Sequence, residues 1–309
     1  MQTVLFPVFF MLFLGYLARK KEWITTQQNE GGKKIVFNIL FPILVFHVLA
    51  QSELKKEFLI QILFLFFAWS FVFLVGKAMT SFTGKRFSNI SPYLLLTCEG
   101  GNVALPLYIS LVGAAHAVNI VTFDVAGILI NFGLVPILVT KQSSSELNWK
   151  SLLKKIFTSS FILAVLIGIL FNVTGIYSYL MNSTFQDIYL STIDIVLKPI
   201  TGIILFTLGY ELKLNRAMLQ PLWRLSLLRL LTCSGIIGTF FLFFPNLMKE
   251  EFFSIAVFLY FMCPTGFPVP LQIQALVKDE EEEHFMSAFI SVFLMIALAV
   301  YTIITLVWK

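Results

Sequence analysis

Residues Leu96–Tyr108 read LTCEGGNVALPLY and lie inside a long apolar run. The stretch holds a carboxylate (Glu99), two adjacent glycines (Gly100, Gly101), an amide (Asn102) and a proline (Pro106). A water-exposed loop carries such residues at no cost. A membrane helix does not, because every backbone polar group it frees must be satisfied inside the protein.

The surroundings point to a membrane. The 309 residues are 58% hydrophobic and only 13% charged, with a mean hydropathy of +0.87, whereas soluble domains are about one quarter charged. The net charge of +5 does not indicate a nucleic-acid partner, because the basic residues cluster between apolar runs. The expected partners are the lipid bilayer and a small-molecule substrate, with a second copy of the chain as a candidate. Cys98, Cys233 and Cys263 are dispersed in apolar sequence without a CxxC pair, so they frame neither a disulfide set nor a metal site.

Ten runs fit the roughly 17–25 residues that a spanning helix needs. They cover about 1–18, 35–51, 58–77, 91–112, 117–140, 156–173, 187–211, 224–245, 252–277 and 284–308. The first run is not a signal peptide, since Arg19, Lys20 and Lys21 follow it and no small-residue cleavage site appears. No soluble domain is expected at either end. With the N-terminus outside, 16 of the 22 Lys and Arg fall in inside loops, four fall outside, and Lys198 and Arg229 lie within spans. The positive-inside rule then places both termini outside a cell membrane crossed many times. The acidic run Asp279–Glu283 reads as a solvated cap whose carboxylates favour the N-terminus of the last helix.

The chain repeats itself. Gly15 in span 1 corresponds to Gly168 in span 6, and Pro42 in span 2 to Pro199 in span 7. The tails after those prolines run alike, PILVFHVLAQSEL against PITGIILFTLGYEL. The break of span 4 returns in span 9 as Cys263-Pro-Thr-Gly-Phe-Pro-Val-Pro270. Residues 1–140 form one five-span repeat and residues 156–309 a second, joined by a cytoplasmic linker at 141–155. Five spans is an odd number, so the second repeat enters upside down, and inverted repeats with matched broken helices mark secondary transporters. Proline removes a helical donor and glycine weakens the helix. The two breaks therefore free backbone groups at mid-membrane depth, where they are useful around an enclosed cavity.

Span 2, IVFNILFPILVFHVLA, resembles the (V/L)FN…P second helix of the auxin efflux carrier family. Span 4, followed by Leu111-Val-Gly113, is similar to that family's broken helix, N-x-G-x-x-G-L-P. The family belongs with ten-span carriers like the bile-acid/sodium symporters. The resemblance implies an all-α membrane protein of two inverted five-helix repeats with crossed, broken helices 4 and 9. It implies secondary active transport of a small organic anion or similar polar metabolite by alternating access, with spans 1, 2, 6 and 7 as scaffold and the rest as a moving unit. Glu99 stands where the family has asparagine, Gly101 at its first glycine and Ala104 at its second, with Asn102 placed to supply the amide. A carboxylate repels an anionic substrate unless protonated or cation-paired, which favours coupling to H⁺ or Na⁺; no other cofactor is expected.

The expected substrate-binding residues are Glu99, Gly100, Gly101, Asn102 and Pro106 in span 4, and Pro264, Thr265, Gly266, Pro268 and Gln272 in span 9. His47, one turn past Pro42, joins them. Asp124 in span 5 pairs with Glu99 as the ion-coupling site, on the rule that an ionisable residue inside a membrane is a functional candidate. Asp194 and Lys198, four apart, are expected to form an internal salt bridge. Arg229 is expected to snorkel to the cytoplasmic face. Enzyme chemistry finds no support: there is no HExxH, GxSxG or phosphate loop, and the three histidines at 47, 116 and 284 are scattered. An uncoupled channel or facilitator, or a membrane-embedded receptor of the same fold, is the alternative, and accumulation against a gradient separates them.

Overall fold

The apolar runs form helices that continue through single prolines such as Pro7, Pro42 and Pro199, whereas spans 4 and 9 are broken. The computed structural model describes residues 2–52, 56–143, 150, 154, 158–211 and 219–307. Ten helices carry the argument: α1 (Gln2–Lys20), α2 (Thr26–Gln51), α3 (Lys56–Ala78), α4 (Gly100–Val112), α5 (Val118–Gln142), α6 (Ser160–Val173), α7 (Gln186–Glu211), α8 (Leu219–Phe243), α9 (Glu251–Phe261) and α10 (Glu280–Val307). No strand occurs among the described residues. Most of the 141–155 linker lies outside them.

Among the described residues six helices are long and apolar enough to cross a membrane: α2, α3, α5, α7, α8 and α10. Helices α4, α6 and α9 are apolar but shorter. Helix length thus reaches six of the ten expected spans. Helices α4 and α9 are shortened by the breaks themselves, and α6 starts only after Ser159, whose backbone is extended.

Two boundaries depart from expectation for identifiable reasons. Helix α2 starts nine residues before its apolar run. There Thr25 accepts the Gln28 N–H at 3.2 Å while Gln28 Oε1 accepts the Thr25 N–H at 2.8 Å, a capping box that satisfies two end donors at once. The acidic run is the first turn of α10, not a wholly solvated cap. Glu282 is fully buried and accepts the Lys278 N–H at 2.8 Å, Asn89 Nδ2 at 3.2 Å and Arg86 Nη1 at 3.2 Å. Phe87 stacks on Phe285 beside it with ring centroids 3.9 Å apart. The loop leading into span 4 is therefore tied to the start of α10.

Two helix seams answer to the paired glycines. Helix α1 packs along α7, and α6 packs along α2. A Cβ at Gly15 would collide with the Phe206 backbone of α7, and one at Gly168 would lie 2.9 Å from the Phe46 carbonyl of α2. Small residues let membrane helices approach this closely. Helices α7 and α2 also touch each other, while α3 packs on α5, and α8, α9 and α10 pack among themselves.

Candidate functional site

The site is built where the broken spans meet. Span 4 begins as a single turn, Ser91–Leu94, loses helical form over residues 95–99, and resumes at Gly100 as a π-turn running into α4. Span 9 ends its first helix at Phe261 and resumes at Pro268. The unwound stretch of span 4 therefore precedes the glycines instead of containing them. Pro106 lies farther on, where the π-turn passes into regular α-helix. The strain is carried by Thr97, whose φ is +50°. A β-branched residue in that region is an outlier costing about 1–3 kcal/mol.

Glu99 joins the two breaks. Its backbone N–H donates to the Pro264 carbonyl at 2.8 Å. Its carboxylate accepts the Asn102 N–H at 3.1 Å, the Asn102 side-chain amide, and the Phe267 N–H at 2.5 Å. The side chain is only 6% exposed. Each resumed helix thus meets this one carboxylate at its N-terminal end, where backbone donors and the helix dipole favour negative charge.

Asp124, half-buried on α5, approaches from the other side. Its carboxylate lies against the Gly100 and Gly101 backbone and within electrostatic reach of Glu99. The glycines make this approach possible: a Cβ on Gly100 would overlap the Asp124 carboxyl, and one on Gly101 would sit 2.9 Å from the Phe41 ring. Tyr260 closes the group, its hydroxyl donating to the Phe123 carbonyl at 3.2 Å and contacting the space beside Gly127. Lys33 lies farther out, its ammonium 5.9 Å from the Phe267 ring centre and paired with Glu211 at 2.5 Å. The arrangement can hold a proton or a cation between two carboxylates, or change the charge state of both half-helix ends.

The remaining expected residues divide. Thr265 donates its hydroxyl to the Leu94 carbonyl, and Gly266 lies against Thr97 and Asn131. Pro264 is buried in the break, Pro268 starts the resumed turn, and Gln272 ends it half-exposed. His47 stands with a different set: its Nδ1 is 2.9 Å from the Tyr189 hydroxyl and its ring packs near Tyr177. Asp194 and Lys198 do form a salt bridge at 2.5 Å, on an exposed face of α7.

Arg229 overturns its expectation. It is 0% exposed, and its guanidinium donates to the carbonyls of Leu94 (3.0 Å), Thr97 (2.8 Å) and Cys263 (3.1 Å) and to Cys98 Sγ (3.4 Å). It does not snorkel because these unwound carbonyls offer better partners than the interface. The default rule for intramembrane charges is the signal that could have found it. The Phe267 amide and the Lys33 ammonium had no such signal.

Residues 1–145 match the family model described as membrane transport protein. The resemblance to auxin efflux carriers therefore holds over that region, which contains span 2, the span 4 break and Asp124. No curated protein matches the chain.

Proposed function

We propose that this multi-pass membrane protein, whose first 145 residues match a transport family, is a secondary active transporter. Its cargo is a small organic anion or similar polar metabolite, driven by H⁺ or Na⁺ through Glu99 and Asp124. The observation that carries the reading is the double attachment of Glu99, to Pro264 through its backbone and to Phe267 through its carboxylate. Burial disfavours the charged form of a carboxylate, while hydrogen bonds and a nearby cation favour it, so its state can follow the bound ion. Its occupancy therefore sets the cost of moving both half-helix ends across the membrane together. A ligand drives such a reorientation only through its differential affinity for the two states, and this residue is placed to provide it.

The carrier would be two inverted five-span repeats. The exchange-related seams support this: α1 on α7 through Gly15, and α6 on α2 through Gly168. Helices α1, α2, α6 and α7 would form the frame, and the other six the moving unit. The placement of Lys and Arg supports both termini outside, and on that reading a cysteine at Asn182 would label from outside intact cells.

The test is reconstitution in liposomes with an imposed pH or Na⁺ gradient and a panel of labelled organic acids and amino acids. The expected result is accumulation of one class above its external concentration, abolished when the gradient is collapsed. Saturable downhill flux indifferent to both gradients would overturn coupling and leave a facilitator.

A further inference from the structure

The breaks free carbonyls as well as N–H groups, and the two sets go to different places. The donors face Glu99 and Asp124; the acceptors face Arg229. Leu94 ends the first turn of span 4, Thr97 lies in its break, and Cys263 follows the end of α9. The left-handed backbone of Thr97 belongs to this cluster, since Thr97 O makes the shortest of the guanidinium's contacts. Among the described residues no carboxylate pairs with Arg229. Its Nε is buried without a partner. The faces of Phe293 and Phe289 lie 5.0 and 6.0 Å from its central carbon, which stabilises a cation without neutralising it.

Carbonyls of unwound membrane helices, together with the C-terminal ends of half-helices, are what coordinates alkali cations in transporters with discontinuous spans. Here the cation is covalently attached. We propose that Arg229 is a tethered substitute for a metal ion at the crossover: it occupies the carbonyl cluster permanently and bars Na⁺ from it. An arginine neither dissociates nor loses its proton in a protein, so this charge is the same in every state and cannot itself couple. The exchangeable charge, a proton or a cation, then belongs to Glu99 and Asp124. Those carboxylates face the amides of Gly100, Gly101, Asn102 and Phe267, with Tyr260, Cys263 and Lys33 the titratable groups around them. This last consequence rests on the carrier reading; the occupation of the cluster does not.

The experiment reads melting temperature of purified protein, which requires no substrate. The Glu99→Gln, Asp124→Asn protein, which lacks the carboxylate cation site and serves here as wild type at position 229, is compared with its Arg229→Ala and Arg229→Lys variants in choline chloride, then with millimolar guanidinium chloride or sodium chloride added. Arg229→Ala leaves a guanidinium-sized vacancy among unpaired carbonyls. It should melt below wild type and recover at least half of the loss in guanidinium, because a ligand that binds only the folded state raises its stability. Sodium should give a smaller recovery. Wild type should respond to neither. Arg229→Lys keeps the charge without the planar fork and should melt between the two, again unmoved by sodium. Absence of any cation rescue in Arg229→Ala, or sodium-specific stabilisation of wild type, would overturn the proposal. If Arg229→Ala fails to fold, wild type and Arg229→Lys still decide it: sodium stabilisation of wild type refutes it, and sodium indifference of both upholds it. Failure of gradient-driven transport would leave these melting results untouched, so the two readings fall separately.

Discussion

The breaks in spans 4 and 9 use the same backbone device for different duties. Span 4 carries the charge: Glu99 in the unwound stretch, and glycines that admit Asp124. Span 9 carries no ionisable carboxylate or base between Phe261 and Leu276. It contributes fixed dipoles instead: the Pro264 and Cys263 carbonyls, the Thr265 hydroxyl and the Phe267 amide. One break holds an ionisable group, and the other holds the dipoles that group bonds to. A site of two equivalent halves would carry both kinds of group in each.

The largest expected effect tests that asymmetry by volume. In Gly100→Leu the new side chain must displace Asp124 down to its Cβ, 2.9 Å from the ideal Cβ position. Transport should vanish, with stability lowered by about 1–3 kcal/mol. In Gly266→Ala the added methyl meets only the ends of the Thr97 and Asn131 side chains, at 2.7 and 2.8 Å. Its melting temperature should fall less than half as far, and equal losses at both positions would erase the distinction.

Charge provides the next contrast. Glu99→Gln keeps the shape but sets the charge at zero, so gradient-driven accumulation should be lost while exchange of bound substrate persists. Unchanged accumulation with an unchanged pH and Na⁺ profile would move the coupling role to Asp124. On the span 9 side, Thr265→Val removes one hydrogen bond to Leu94 and should cost about 1 kcal/mol. Its pH profile should match wild type; an altered profile would mean span 9 also takes part in the charge change.

The smallest effect lies outside both breaks, at the tie between the span 4 loop and α10. The Glu282 N–H and then the Arg86 guanidinium hold the Asp279 carboxyl below the usual carboxylate range. A depressed folded value means the stabilisation is present above the ordinary carboxylate titration and lost as pH falls through the folded one. Asp279→Asn should therefore melt slightly below wild type at neutral pH, with the gap closing as pH falls below the ordinary carboxylate range. A gap constant with pH would show that the tie is not electrostatic.

Much of this molecule is written locally. Hydropathy and the positions of Gly and Pro suffice for an all-helical membrane protein with two breaks, because helix formation in lipid depends on a residue's immediate neighbours. They also single out Glu99 and pair Gly15 with Gly168. The sequence could even have placed the start of α2, since Thr25 and Gln28 spell a capping box. What it does not contain is the destination of the groups the breaks release. The Phe267 amide meets a carboxylate 168 residues away, and the Leu94 carbonyl meets Arg229 across 135 residues. Such partners follow from how helices pack, not from spacing along the chain. For that reason the sequence alone marked where the membrane helices fail, and only the tertiary structure decided that a buried arginine and two carboxylates divide what the failures expose.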